Sequence, residues 1–369
     1  MSRLLRRALA VLGFLGLLLG AGAAVPSAQA ASPPSVGSSR LSADDLLWQL
    51  TPTGSSERFR GLSAVSRKVA WVSGTGGTVL RTTDGGATWS SVGPPGTSAL
   101  QFRDIEATSA QHAVILSIGE GTDSRIYVTD NGGASWTLAF QNDDPRAFYD
   151  CMAFTSNLRG FALSDPVDGK FRLLETRDGG HAWSLVDPAG MPPALEGEFA
   201  FAASGTCLTA GQGQTLYLAS GGIADPRVFR STDRGQTWAV TSVPEVVGAA
   251  AAGIFSVRFR DRHNGIAVGG DFTKPDDGTD TAAWSDDGGT TWHAADVTPA
   301  GYRSGSAWVT HERDVAVAVG PTGSDVTTDA GRTWTTFDTG SFDSVECARD
   351  GSCWASGEHG RVAKLVVSR

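Results

Sequence analysis

One eight-residue pattern occurs six times, and it constrains this chain more than any other feature. The copies run Thr82–Trp89, Thr129–Trp136, Thr176–Trp183, Ser231–Trp238, Ser285–Trp292 and Thr327–Trp334. Their shared form is S/T-x-D-x-G-x-S/T-W, with Asp84, Asn131, Asp178, Asp233, Asp287 and Asp329 at the acidic position. Two copies depart from it: Asn131 replaces the acid and Ala182 replaces the second hydroxyl residue. Each position has a physical task. A carboxylate or amide accepts hydrogen bonds from backbone N–H groups further along a turn. Glycine takes positive φ without a Cβ clash. Tryptophan begins the next strand with a large apolar plate and an N–H at its rim. Each copy therefore predicts a self-satisfied β-hairpin tip followed by a buried anchor.

Successive box tryptophans lie 47, 47, 55, 54 and 42 residues apart, room for four short strands per unit. Trp48, in Leu47-Trp48-Gln49-Leu50, stands 41 residues ahead of Trp89 without a box. After Trp334 come three more strand-like runs and no closing tryptophan strand. Six full intervals plus two complementary ends make seven units of about 48 residues, the size of one propeller blade. The 47 glycines fit many turns, and 11 Trp and 16 Phe spread along the chain exclude low complexity. The expectation is an all-β, seven-bladed propeller of four-stranded antiparallel blades over residues 45–369. Its N-terminal strand closes the last blade and so removes the open end of the ring.

The boxes resemble the Asp boxes, or BNR repeats, of sialidase-like β-propellers. Near-regular copies along the whole chain resemble the propellers related to photosystem II stability and assembly factors. That resemblance implies boxes on rim turns between the third and fourth strands, away from the channel mouth, and leaves their role structural.

The N-terminus has the order of a secretory signal: basic Arg3, Arg6 and Arg7, an uncharged apolar run from Ala8 to Val25, then Ala28-Gln29-Ala30. Residues 1–30 are expected to be a signal peptide cleaved after Ala30, and residues 31–44 a disordered linker. The product is then secreted or extracytoplasmic, with no stable membrane insertion. The run is just long enough to span a bilayer, but Gly13, Gly16, Gly20 and Gly22 weaken it as an anchor. A formal charge of −9 argues against a nucleic-acid partner, which needs clustered positive charge.

Export permits disulfides. Cys347 and Cys353 flank a hairpin-like turn and are expected to be bridged; Cys151 and Cys207 are the leftover pair, left open. The six histidines show no metal-ligand spacing, and no cofactor motif is present. The Asp271–Asp280 loop carries four carboxylates but no EF-hand spacing, so a solvated acidic loop is the preferred reading.

Function concentrates on variable loops of a rigid scaffold. The connections between the second and third strands vary most and lie opposite the boxes, on the face where inner strands begin. Reading each repeat at that phase predicts a funnel of Arg60, Arg103, Tyr149, Asp150, Glu198, Tyr302 and Arg303. Arginine suits bidentate capture of carboxylate or phosphate. The alternative is a set of mutual salt bridges with no ligand.

Three function classes follow. The first is an exported, monomeric binding or assembly module that presents this funnel to a protein partner or a glycan or carboxylate ligand. The second, implied by the sialidase resemblance, is a glycoside hydrolase. It would use Arg60, Arg103 and Arg303 on a sugar carboxylate, Tyr302 or Tyr149 as nucleophile, Glu198 as its base, and Asp104 or Asp150 as acid. The Ile-Pro that follows the arginine in the sialidase motif is absent after Arg60. The third is an oxidoreductase, for which no flavin, nicotinamide or quinone motif is found.

Overall fold

A computed structural model describes residues 41–368 and is almost entirely β. Residues 1–40, which include the expected signal peptide and most of the expected linker, lie outside the described residues. Among the described residues no helix is long and apolar enough to cross a membrane.

Twenty-eight strands form seven four-stranded antiparallel sheets. Six blades are continuous in sequence, their inner strands being Phe59–Ala64, Gln101–Ala107, Tyr149–Phe154, Leu208–Ala210, Ala252–Phe259 and Gly305–Trp308. The seventh uses both ends of the chain. Ser344–Cys347, Cys353–Ser356 and Val362–Val367 come from the C-terminus, and Leu46–Leu50 adds the outermost strand. The pairing is antiparallel, with Trp48 opposite Leu365. Inner strands contact one another in ring order, and blade seven closes onto blade one.

The described residues begin at Leu41, inside the stretch 31–44 expected to be a disordered linker, and Leu41 to Asp45 are structured. Leu41 is buried in the core of blades six and seven, and Ala43–Asp45 forms a 3₁₀ turn in which Ser42 N and Ser42 Oγ each donate to the Asp45 carboxylate at 2.8 Å. Trp48 packs on Phe337 and Phe342 at ring-centroid distances of 5.8 and 5.3 Å. Its Nε1 donates to Ser324 Oγ at 2.9 Å. One residue thus fastens the closing strand to blade six.

All six boxes form the turn between third and fourth strands. In the first, Thr88 N and Thr88 Oγ1 donate to the two oxygens of Asp84 at 2.9 and 2.6 Å, and Gly86 N donates to Thr82 Oγ1 at 2.9 Å. These bonds hold the exposed Asp84 carboxyl down at about 2. Asn131 preserves the geometry by inverting one bond: its Nδ2 donates to Ser135 Oγ at 2.8 Å. Asp178 keeps the backbone bond to Ala182 N at 3.0 Å and has no hydroxyl to add. The box glycines Gly86, Gly133, Gly180, Gly235, Gly289 and Gly331 have φ from 78° to 94°, where a Cβ is strained.

Two disulfides brace the ring. Cys347–Cys353 closes the hairpin between the first two strands of blade seven. Cys151–Cys207 joins the inner-strand regions of blades three and four. The sequence reading leaves this pair open, and the two cysteines come from adjacent repeats. The register makes them equivalent: Cys151 pairs with Leu163, and Cys207 O accepts from Ala219 N in the matching place.

Trp48→Ala should cost ~3–5 kcal/mol through the lost ring packing and the stranded Ser324 hydroxyl. Urea unfolding would measure it, and a loss below about 1 kcal/mol would mean that the closing strand does not hold the ring.

Candidate binding site at the channel mouth

Inner strands of four blades carry a bulge at the same place. Pairing skips one residue between Phe59 and Gly61, Phe102 and Asp104, Tyr149 and Cys151, and Ile254 and Ser256. The skipped residues are Arg60, Arg103, Asp150 and Phe255. A bulge frees one residue from the ladder and re-aims its side chain. The bulges lie on the face opposite the boxes, where the inner strands begin.

A cavity of about 410 Å³ opens there. Its lining combines Arg58, Arg60 and Arg103 with Phe201, Phe255, Phe272, Pro275 and Tyr302, and includes Asp343 and Glu358. Phe201 stacks on Phe255 at 3.7 Å, and Tyr302 meets Phe255 edge-on at 4.6 Å. Phe272, on the loop after the second strand of blade five, is 49% exposed and leans edge-on against both phenylalanines. A second concavity adjoins it through Arg103, Phe201 and Ala202, and contains Asp150 and Asp165.

The charges are unevenly matched. Arg58 holds Asp343 in a bidentate pair, Nε and Nη2 lying 2.8 and 2.6 Å from the two oxygens. Arg60 Nε approaches the same carboxylate only to 3.5 Å and has no hydrogen-bond partner. Arg103 has no ion pair among the described residues; it donates to Ala202 O at 3.0 Å and Gln101 Oε1 at 3.1 Å. Burial, with Arg60 and Arg58 close by, lowers its guanidinium to about 10, so it remains cationic at neutral pH. Burial also lowers Arg60.

The structure therefore brings Arg60, Arg103 and Tyr302 to one cavity and Asp150 to its neighbour. Tyr149, Glu198 and Arg303 are not at either. Tyr149 precedes the bulge, in the place of Phe59, and is buried against Phe140. Arg303 also stands in the place of Phe59: its N–H donates to Gly269 O just as Phe59 N–H donates to Gly357 O. Its side chain is fully buried, with Nε 2.5 Å from Asp325 Oδ2. Glu198 lies upstream of the blade-four inner strand, in a buried bidentate pair with Arg227 and a 2.6 Å bond from Ser220 Oγ. Asp104 is buried, accepting from Ile105 N and Met152 N at 2.8 and 2.5 Å.

The expected nucleophile–base pairing of Tyr302 or Tyr149 with Glu198 is not formed among the described residues. Burial pushes the Tyr302 phenol well above its usual range, and the Glu198 carboxylate is committed to Arg227 away from the cavity. Sequence reasoning missed Arg58, Phe201, Phe272 and Pro275. The one signal in the sequence was the length of the Asp271–Asp280 insertion, which carries Phe272 and Pro275.

Burial raises the pKa of several acids around the mouth. Asp104 is pushed up to about 8 and Asp165 to about 6. Glu106 and Glu346 are also raised by burial, and both face Arg258.

Fold and site together define a seven-bladed, four-stranded β-propeller with an arginine- and phenylalanine-lined mouth. No family profile and no curated protein matches the chain. Solved propellers do resemble it. A structure of YCF48 bound to D1 peptide aligns with TM-score 0.58 at 14% identity, covering 87% of this chain and 95% of that one. YCF48 from Cyanidioschyzon merolae gives 0.61 at 13% identity, with 86% and 98% coverage. The Neurospora crassa Pan2 WD40 domain gives 0.60 at 11% identity, with 89% and 97% coverage. At these identities the likeness establishes the fold.

Two predictions separate the structural pairs from the mouth. Arg303→Ala should destabilise by ~3–5 kcal/mol, because it leaves Asp325 buried and unpaired. Arg103→Ala, which strands no carboxylate, should cost less than about 1 kcal/mol in the same denaturation assay. The raised Asp165 pKa implies a pH dependence of definite sign. The folded state keeps a proton that the unfolded chain releases above about pH 4, so this contribution to stability is lost as pH rises through about 6. Asp165→Asn should therefore reduce the loss of stability between about pH 4 and pH 7, read from urea midpoints at each pH.

Proposed function

We propose that this chain is an exported propeller that binds an extended, acidic segment of a protein partner across the channel mouth. The observation that carries this reading is Arg103. A cation without an ion pair that lines a preformed cavity together with aromatic side chains is arranged for an anionic group from outside. Arginine and aromatic residues are also the side chains that dominate protein-binding hot spots. The exposed Phe272 adds an apolar anchor beside the charge. The peptide-bound YCF48 propeller supports a peptide as the ligand class. Export rests on the order of residues in 1–30, and the structural role of the boxes on their resemblance to Asp boxes.

Random peptides displayed on phage should be selected by the immobilised protein for sequences combining Asp or Glu with an aromatic or aliphatic residue. Enrichment should disappear with Arg103→Ala and with Phe272→Ala, each with an unchanged melting temperature. It should weaken as salt rises. Enrichment untouched by both substitutions would overturn the proposal. Displacement by sialyllactose, with no peptide enrichment, would point to a glycan instead.

A further inference from the structure

On the box face, far from the mouth in the fold, three side chains from two blades meet. His112 lies on the turn between the first two strands of blade two. Asp130 belongs to the box of that blade, and His181 to the box of blade three. His112 Nδ1 is 2.8 Å from Asp130 Oδ1, and His181 Nε2 is 3.4 Å from Asp130 Oδ2. The ligand-type atoms of all three lie within 4.8 Å of one another. Both rings thus present a nitrogen to one carboxylate from different sides. The sequence shows no such grouping, because the ligands come from three separate turns.

We propose that His112, Asp130 and His181 form a site for a zinc-class divalent cation that bridges blades two and three. Two imidazole nitrogens and one carboxylate oxygen are the donor set that zinc favours over magnesium or calcium, which take all-oxygen shells. Three protein ligands leave a fourth position open to solvent. Bonds of about 2 Å to each ligand need the donor atoms a little over 3 Å apart, so the 2.8 Å His112–Asp130 contact opens slightly and any wider spacing, all within 4.8 Å, closes.

The supporting turns are already fixed. His112 N–H donates to Ser109 Oγ at 3.0 Å, and Gly132 N–H donates to Gln111 O at 2.8 Å, tying the His112 turn to the blade-two box. His181 N–H donates to Asp178 Oδ1 at 3.1 Å. Ligands on hydrogen-bonded turns lose little freedom when a cation binds. The two departures from the box pattern fall in these same two boxes. With Asn131 in place of the usual acid, no second box carboxylate adjoins Asp130. The Asp130 carboxylate is 62% exposed and takes no part in the bonds that shape its box.

Untagged full-length protein, stripped with chelator and dialysed, should bind one Zn²⁺ per chain in calorimetric titration with zinc chloride, and its melting temperature should rise. His112→Ala and His181→Ala should each weaken binding by at least about tenfold and abolish the thermal shift. His263→Ala, elsewhere on the ring, should leave both unchanged. Circular dichroism of the zinc-free variants checks folding. His181 is 44% exposed, so its variant carries the test even if His112→Ala misfolds. No stoichiometric binding by the unaltered protein, or binding that survives His181→Ala, would overturn the site.

Discussion

The pairing of Leu46–Leu50 with Val362–Val367 joins two stretches at opposite ends of the described chain, and the ring depends on it. Without that strand, blade seven has three strands with an open edge, and blade six loses the cover Trp48 gives to Phe337. An open ring would also relax the contact between the inner strands of blades seven and one. Arg58, whose partner Asp343 sits across that seam, is positioned by the same closure. Closure is therefore both the main restraint on the fold and the condition for the charge arrangement at the mouth.

The buried and mouth-lining charges divide between two uses. Within blades four and six, Glu198–Arg227 and Arg303–Asp325 are spent on each other, and Asp104 in blade two on backbone N–H groups. Buried groups without such partners would be costly. At the mouth the bulges release Arg60 and Arg103 from the ladder, and one carboxylate, Asp343, serves both Arg58 and Arg60. The excess positive charge there coexists with a net charge of −9 for the whole chain, so a local field can oppose the overall one.

The box face is chemically different. Its acids are satisfied by their own turns, and Asp84 shows how completely: both oxygens are occupied within eight residues of sequence. Asp130 stands outside that scheme: it occupies a variable position of its box and takes no part in the bonds that shape the turn. Variation at the permissive positions of a repeated turn can place new donors on a scaffold that the constant positions have already made rigid.

The sequence by itself determined the number of blades, their four-stranded make-up and the closing strand. Each box is a local structure, formed by bonds between residues two to four apart, and a repeated local structure counts its own units. It also located the face on which inner strands begin, and Arg60 and Arg103 on it. It placed Tyr149 and Arg303 one residue out of phase. Neighbouring residues of a strand point to opposite faces, so a single step moves a side chain from the mouth to the core. In blade three, Phe148-Tyr149-Asp150 resembles Phe59-Arg60-Gly61 in sequence, yet pairing with Ser164 puts Tyr149 where Phe59 is. Only the tertiary structure decided which charges find partners. Arg227 reaches Glu198 across 29 residues, Arg58 reaches Asp343 across 285, and His112 meets His181 from the next blade. These meetings are set by strand register and ring closure, and no local spacing encodes them.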